Sequence, residues 1–141
     1  MSKILIIEDD QDISAIEAQY LMVNDFEVEI VDNGVEGFEK AKSEEHDLLI
    51  LDLMIPGMDG FTLCEKLREV SDIPIIIVTA RREDIDQIRG LGYGADDYIV
   101  KPFSPGLLVA RVKANLARYG MMCKSDHEVA SNELVFGELV L

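Results

Sequence analysis

Short apolar runs recur five times along the chain, and segments with helical periodicity separate them. The runs are Lys3 to Ile7, Glu27 to Val31, Asp47 to Leu51, Pro74 to Val78 and Asp96 to Val100. Strands that alternate with helices predict right-handed crossovers and a parallel sheet that is covered on both faces. The pattern is that of an α/β fold.

Each segment between the runs has one apolar face that we expect to pack on the sheet, because its apolar residues recur every three or four positions. In chain order, the four faces consist of Ile13, Ile16, Tyr20 and Val23; of Val35, Phe38 and Ala41; of Leu63, Cys64 and Leu67; and of Ile85, Ile88 and Leu91. A fifth helix should begin at Ser104-Pro105, a capping hydroxyl followed by proline in the first turn, and end near Tyr119-Gly120. Its mostly apolar stripe consists of Leu108, Val112, Asn115, Leu116 and Tyr119.

The composition of each strand predicts its place in the sheet. Residues 4–7, 48–51 and 75–78 are apolar throughout, so these three strands should be buried on both sides and central. Residues 27–31 alternate in polarity and residues 96–100 are mixed, which suits the two edges. This favours a flavodoxin-like (βα)5 fold, a doubly wound parallel five-stranded sheet with strand order 2-1-3-4-5.

Composition limits the functions that the chain can have by itself. With 141 residues, 48% of them apolar and 29% charged, it suits one globular domain with a hydrophobic core. The 13 Lys and Arg against 28 Asp and Glu give a formal net charge of −15. A surface this acidic repels phosphate backbones, so we do not expect this chain to bind DNA or RNA by itself.

The remaining general features indicate a cytoplasmic protein with no membrane contact. The apolar runs are too short to cross a bilayer, and Met1-Ser2-Lys3 leads into the first run without a signal-peptide layout. Cys64 is predicted to be a small core residue and Cys123 to have no role, because the pair lacks metal-site spacing. His46 and His127 are predicted to be exposed loop residues.

Acidic residues follow the first strand and end the third. In a doubly wound sheet the ligand site lies beyond the carboxyl ends of the central strands, so Glu8-Asp9-Asp10 and Asp52 should converge there. Carboxylates this close repel one another unless a cation lies among them. Hard oxygen ligands favour Mg²⁺ or Mn²⁺ over zinc.

The same edge of the sheet should receive Thr79 from the fourth strand and Lys101 from the fifth. A carboxylate beside a divalent ion, a lysine and a hydroxyl has what an acyl-phosphate requires, namely a nucleophile with counter-charges for the phosphoryl oxygens. As the alternative, the acids cap the following helices, which explains Asp10 or Asp12 well. Capping does not explain Asp52 at the end of a strand of leucines, or a lysine followed by proline.

Four segments of the chain resemble the receiver domains of two-component response regulators. They are Ile-Leu-Ile-Ile-Glu8-Asp9-Asp10, Leu-Leu-Ile-Leu-Asp52-Leu-Met-Ile-Pro56-Gly57-Met-Asp59-Gly60, Val-Thr79-Ala80 and Gly94-Ala95-Asp96-Asp97-Tyr98-Ile-Val-Lys101-Pro102-Phe103. The resemblance covers about residues 3 to 119. It implies a phosphorylation switch with a sensor histidine kinase as the phosphoryl donor.

The resemblance also implies a role for each residue of the site. Asp52 would be the phosphoacceptor. Asp9, Asp52 and the main-chain carbonyl of Met54 would bind Mg²⁺, with Glu8 acting through water. Lys101, before a cis peptide bond to Pro102, would contact the phosphoryl group. Thr79, followed by Ala80, would donate its hydroxyl to that group, and Tyr98 would turn inward.

The end of the chain is similar to the OmpR/PhoB subfamily, whose receivers are joined to a winged-helix DNA-binding domain. This implies a receiver over 1–120, a linker over 121–132 and the truncated start of that domain over 133–141, so DNA would be bound only through the missing C-terminal part.

The same subfamily implies a homodimer through the fourth helix, fifth strand and fifth helix when the receiver is active. Its intersubunit charge pairs match Asp96, Asp97, Arg111 and Arg118. One pair is missing, because Gln87 and Leu107 stand where the pattern has a basic and an acidic residue.

Met54 and Arg81 occupy the two positions that tune dephosphorylation in the family. A methionine cannot orient an attacking water, so we expect slow loss of the phosphoryl group. The resemblance implies no enzymatic activity beyond self-phosphorylation and self-dephosphorylation of Asp52.

Three other functions remain open. A phosphatase of the haloacid-dehalogenase type also uses a strand-end Asp, but it usually has a second Asp two residues later, where this chain has Met54. A flavin-binding module would need a Ser/Thr-rich loop in place of Glu8-Asp9-Asp10. A receiver can also respond to signals other than phosphorylation.

Overall fold

The computed structural model describes residues 2–43, 45–91 and 94–124, without the side chains of 87–91 and 119–124. Strands and helices alternate along this part of the chain. In order they are β1 (Lys3–Ile7), α1 (Gln11–Val23), β2 (Glu27–Val31), α2 (Gly34–Lys42), β3 (Leu48–Asp52), α3 (Gly60–Arg68), β4 (Ile75–Thr79), α4 (Arg82–Leu91), β5 (Asp97–Val100) and α5 (Pro105–Lys124).

All five strands form one parallel sheet in the order β2-β1-β3-β4-β5. The predicted fold class and strand order are therefore confirmed. The three strands with continuous apolar sequence are central, and the two with mixed sequence form the edges. Strands buried on both faces need apolar residues at every position, whereas edge strands do not.

Two hydrophobic cores lie on opposite faces of the sheet, and successive strand residues alternate between them. Leu5, Ile7, Leu49, Leu51, Ile75 and Ile77 pack on the side of α2 and α3. Ile4, Ile6, Leu48, Ile50, Ile76 and Val78 pack on the side of α1 and α5. Because side chains of a strand alternate between its faces, a slip of one residue would exchange the two sets, so this packing fixes the register of the sheet.

The first helix turns a different face to the sheet from the predicted one. Its buried residues are Ser14, Glu17, Ala18 and Leu21, whereas Ile16, Tyr20 and Val23 are exposed. Both sets repeat with helical spacing, so periodicity alone could not choose between them. Small residues such as Ser14 and Ala18 allow the helix to approach the sheet closely.

This rotation of α1 buries an acidic side chain. Glu17 is only 3% exposed, and within the described part of the chain both of its carboxylate oxygens lack a hydrogen-bond partner. Burial raises the pKa of Glu17 to about 7, with a further contribution from the nearby charge of Glu8. A neutral carboxyl therefore occupies this position at mildly acidic pH.

The other predicted helix faces fit the structure to different degrees. The face of α3 is buried as predicted, with Cys64 in the core. In α2, Ala41 is buried but Val35 is exposed, because Gly34 and Gly37 let the helix lie against its neighbours there. In α4, Ile85 is buried, and the side chains of Ile88 and Leu91 are outside the described set.

Helix α5 begins as predicted, with the Ser104 hydroxyl accepting a hydrogen bond from the Leu107 N–H at 3.1 Å. Its predicted end near Gly120 is wrong, since the helix continues to Lys124. A glycine inside a helix costs only about 1 kcal/mol, and the Met residues that follow it are good helix formers.

His46 is buried rather than exposed, so that prediction is wrong. It is 7% exposed, and its Nε2 lies 2.9 Å from Oε1 of Glu29 on the edge strand β2. Lys40 also contacts Glu29, at 2.6 Å. An imidazole can be buried where one of its ring nitrogens meets a carboxylate, even though it lies in a loop.

No helix in the described ranges is long and apolar enough to span a bilayer. The predictions for His127 and for 133–141, and for the side chain of Cys123, concern parts of the chain outside the described set.

Replacing the buried carboxyl Glu17→Gln should remove one component of the pH dependence of stability in magnesium-free buffer. The pKa is 4.5 for an ordinary glutamate and about 7 here, so the native state holds the proton more tightly between these values. The free energy of unfolding of the wild type, relative to that of the variant, should then fall by at most about 3 kcal/mol as pH rises from 4.5 to 7. At higher pH the difference should stay level. Urea unfolding at several pH values measures this difference.

The matched control is Glu65→Gln, an exposed glutamate on α3. Its difference from wild type should vary little over the same range. An equally flat difference for Glu17→Gln would contradict the assignment of a buried neutral carboxyl.

Candidate functional site

Polar side chains from four strand ends meet at one edge of the sheet. Glu8 and Asp9 follow β1, Asp52 ends β3, Thr79 ends β4 and Lys101 follows β5. Because all strands of a parallel sheet have their carboxyl ends at the same edge, the predicted site residues meet there without long loops.

Three carboxylates lie close enough to share one ion. Glu8, Asp9 and Asp52 each offer an oxygen, and these atoms lie within 4.8 Å of one another. Glu8 and Asp52 are buried, whereas Asp9 is exposed. The structure thus brings together the carboxylates that the sequence assigns to the metal, with one ligand open to solvent.

Within the described residues, the Lys101 ammonium contacts two members of this cluster. Its Nζ donates to Oδ2 of Asp52 and to Oε1 of Glu8, both at 2.9 Å. Burial by itself would lower the pKa of Lys101, but the hydrogen bonds to Asp52 and Glu8 outweigh it and hold the pKa above its usual value. Lys101 therefore stays charged and joins the tips of β1, β3 and β5.

One lysine does not balance the acids. Burial, and secondly the adjoining Asp52 carboxyl, raise the pKa of Glu8 to about 7. This is the direction expected when like charges share a poorly solvated space. A divalent cation would relieve the repulsion, and the donor set, hard oxygens with one exposed member, fits Mg²⁺ or Mn²⁺.

Main-chain groups fix the orientation of the carboxylates. The Met54 N–H donates to Oδ1 of Asp52 at 2.9 Å, and the Asp10 N–H donates to Oε2 of Glu8 at 3.2 Å. Asp10 itself caps α1 through the N–H groups of Asp12 and Ile13. Helix capping therefore explains the position of Asp10, but it does not explain Glu8, Asp9 or Asp52.

Gly60 permits the loop after Asp52 to close tightly. A Cβ at this position would lie 2.6 Å from Cα of Leu53. The Asp59 carboxylate caps α3 through the Thr62 N–H at 3.0 Å. The chain that carries Asp52 and Met54 is thus anchored at both ends.

Thr79 is fully buried, and its hydroxyl is already engaged. Oγ1 lies 3.0 Å from Oδ2 of Asp84 on α4 and accepts a hydrogen bond from the Arg81 N–H at 3.2 Å. Ala80 and Arg81 are exposed beside it. Asp84 is 7% exposed, and sequence reasoning missed it, although it lies one helical turn before Ile88 and so on the apolar face of α4.

The remaining predicted switch residues lie on β5 and directly after it. Tyr98 is partly buried against the core on the side of α2 and α3, and the Lys101-Pro102 peptide bond is cis, as expected.

The four residues of the predicted dimer face make contacts within this chain. Arg111 lies 2.5 Å from Asp97, and Asp96 lies 2.8 Å from Arg68. Arg118 donates to Asn115. The four residues lie on or beside β5 and α5, and the dimer face itself stays a prediction.

Comparison with known proteins agrees with this geometry. Residues 4–113 match the family model of the response regulator receiver domain. The chain is 48% identical over 117 residues to the uncharacterized transcriptional regulatory protein YclJ of Bacillus subtilis, over 83% of this chain and 52% of YclJ. It is 42% identical over 131 residues to the transcriptional regulatory protein BaeR of Escherichia coli, over 93% of this chain and 53% of BaeR.

A solved structure gives the same result. The BeF3-activated N-terminal receiver domain of Klebsiella pneumoniae RstA superposes with a TM-score of 0.74 at 38% identity, over 81% of this chain and 97% of that one. The chain spans about half the length of the curated relatives it matches. These relatives are regulators of the OmpR/PhoB type. The extent of the family match and the shared fold show that this chain belongs to the response regulator receiver family and is the receiver domain of a two-component response regulator.

Proposed function

We propose that Asp52 accepts a phosphoryl group from a sensor histidine kinase and that this chemistry controls the output of a longer regulator. The observation that carries the proposal is the buried Asp52 carboxylate, held by Lys101 at 2.9 Å beside two further acids. A carboxylate so placed is a nucleophile with a counter-charge for the incoming group.

Asp9, Asp52 and the main-chain carbonyl of Met54 would hold Mg²⁺ or Mn²⁺, with Glu8 acting through water. A bound divalent cation supplies positive charge that offsets both the clustered carboxylates and the phosphoryl oxygens. The exposed position of Asp9 leaves a route for the ion from solvent.

Phosphoryl transfer then needs few protein groups. A carboxylate oxygen of Asp52 forms a bond to phosphorus while the bond from phosphorus to the kinase histidine nitrogen breaks. Lys101, which bonds to Glu8 and Asp52, would turn one of its N–H groups to a phosphoryl oxygen. Thr79 would donate its hydroxyl to another oxygen, and Tyr98 would turn inward.

The output would use the face formed by α4, β5 and α5. We propose that the active receiver forms a homodimer there through Asp96, Asp97, Arg111 and Arg118. The relatives named above are transcriptional regulators about twice as long as this chain. DNA binding would therefore belong to a C-terminal domain after a linker, because a net charge of −15 does not suit the receiver to it.

A Mg²⁺-dependent phosphohydrolase is the less favoured function. Such an enzyme needs an acid or base to act on its leaving group or water, and the position two residues after Asp52 holds the exposed thioether of Met54. The proposed chemistry is accordingly limited to self-phosphorylation and self-dephosphorylation of Asp52.

Incubation with acetyl phosphate and Mg²⁺ should add one phosphoryl group to the wild-type chain, and Asp52→Asn should abolish it. The amide is a poor nucleophile, so the loss should be complete within detection. Intact-protein mass spectrometry measures the adduct. Chelation of the divalent ion should also prevent it.

The control for this variant is Asp72→Asn, an exposed acid before β4 and therefore at the opposite end of the sheet. It should accept phosphate like wild type. An adduct that persists in Asp52→Asn, or forms at the same rate under chelation, would refute the proposal.

Substituting Met54→Asn should speed the loss of the phosphoryl group by about tenfold, equivalent to ~1.4 kcal/mol of barrier. The Met54 side chain is 63% exposed two residues from Asp52, and an amide there can orient an attacking water whereas a thioether cannot. The decay of the adduct after removal of acetyl phosphate gives the rate.

Met22→Asn is the matched control, since Met22 is 55% exposed at the distant end of α1. It should leave the decay unchanged. A decay in Met54→Asn that is equal to or slower than wild type would rule out this role of Met54.

Mg²⁺ with beryllofluoride should convert the protein from monomer to dimer, and Arg118→Glu should weaken that dimer by about tenfold. Each exposed ion pair contributes up to about 1 kcal/mol, and a two-fold interface contains each pair twice. Sedimentation equilibrium measures the association. Lys66→Glu, the same reversal on the exposed side of α3, should leave it unchanged, and equal weakening by both variants would exclude the proposed face.

A further inference from the structure

The hydroxyl of Thr79 has a partner that competes with the phosphoryl group. Thr79 is 0% exposed and Asp84 7% exposed, and Oγ1 lies 3.0 Å from Oδ2 of Asp84. A hydroxyl has a single proton to donate, and a carboxylate oxygen accepts. The Arg81 N–H already donates to Oγ1 of Thr79, so the hydroxyl proton of Thr79 is directed at Asp84.

This hydrogen bond also ties α4 to the sheet. Among the residues of α4 whose side chains are described, Asp84 and Ile85 are buried, whereas Arg82, Glu83 and Asp86 are exposed. Ile85 is a buried apolar side chain, whereas Asp84 is polar and makes a side-chain hydrogen bond to the sheet. The bond from Thr79 at the tip of β4 to Asp84 is therefore a specific link between the phosphoacceptor edge and the first turns of α4.

We propose that Asp84 is a positioning residue that holds Thr79 in the unphosphorylated state and transmits its release to α4. The inference rests on the proposed function, because it requires Thr79 to donate to a phosphoryl group on Asp52. Asp84 and that group cannot both receive the one hydroxyl proton. Asp84 therefore opposes activation, and the strength of its hydrogen bond to Thr79 sets how readily the receiver is activated.

Release of Thr79 has a consequence for α4. Once the hydroxyl donates to the phosphoryl group, Asp84 is left as a buried acceptor that has lost its donor, which is unfavourable. Movement of the first turns of α4 toward solvent would restore hydrogen bonds to that carboxylate. The chemistry on β3 thus reaches α4 through one side-chain contact.

Beryllofluoride binding at saturating Mg²⁺ tests this role. Asp84→Ala removes the competing acceptor, so beryllofluoride should bind about tenfold more tightly, as expected for one hydrogen bond to a charged group. The dissociation constant of Mg²⁺ itself should change much less, because Asp84 bonds to Thr79 and is not one of the three carboxylates that lie close enough to share an ion. If Asp84 only supported the fold, its loss would change the dissociation constants of Mg²⁺ and beryllofluoride to a similar extent. NMR or calorimetric titration gives the two values.

Two controls separate this contact from the general loss of negative charge. Asp86→Ala removes an exposed acid from the same helix, and it should leave beryllofluoride affinity within twofold of wild type. In a Thr79→Val background, Asp84→Ala should give no tightening, because the hydroxyl for which it competes is gone. Tightening that persists in that background would overturn the inference.

Asp84→Asn covers the case in which Asp84→Ala does not fold. It keeps the size and one acceptor oxygen but weakens the bond, so it should tighten beryllofluoride binding by several-fold, less than the alanine variant. Unchanged or weaker binding would overturn the inference while wild-type binding upholds the proposed function. Failure of the wild-type chain to bind beryllofluoride would instead overturn the proposed function, and this inference with it.

Discussion

The close approach of Glu8, Asp9 and Asp52, with the ammonium of Lys101 bonded to Glu8 and Asp52, is the interaction on which the rest of this site depends. Three acidic oxygens within 4.8 Å of one another repel strongly in a partly buried setting. Lys101 reduces this repulsion without cancelling it. Burial first, and the adjoining Asp52 carboxyl second, raise the pKa of Glu8 to about 7. Added positive charge would relieve the remaining repulsion, and the free energy that holds the acids together must come from elsewhere in the fold.

That free energy comes from the hydrophobic packing of the central strands. The residues of β1, β3 and β4 alternate between two cores, so the register that places Glu8 and Asp52 together cannot slip by one residue without exchanging the side chains that fill the two cores. The packing therefore fixes the positions of the strand tips. Within the described residues, the Thr79 hydroxyl links the end of β4 to α4 through its hydrogen bond to Asp84.

Two further buried acids show that negative charge surrounds the site on several sides. Glu17 approaches from α1 and Asp84 from α4, and the charges of Glu8 and Asp52 contribute to the raised pKa of Glu17. Binding of a cation and protonation of Glu17 are therefore linked, because each changes the field that the other experiences. The resting state of the receiver depends on this balance as well as on the shape of the site.

The sequence by itself determined the strand order and the site, because both follow from one-dimensional patterns. Continuous apolar runs identified the central strands, and parallel strands bring their carboxyl ends together, which placed Glu8, Asp52 and Lys101 at one edge before any contact was known. Tertiary structure decided which face of α1 is buried, because the sets containing Ile16 and Glu17 both repeat with helical spacing, and only packing on the sheet distinguishes them. It also decided the burial of His46 beside Glu29 and the bond between Thr79 and Asp84. These depend on partners distant in sequence or on helix rotation, which local periodicity does not encode.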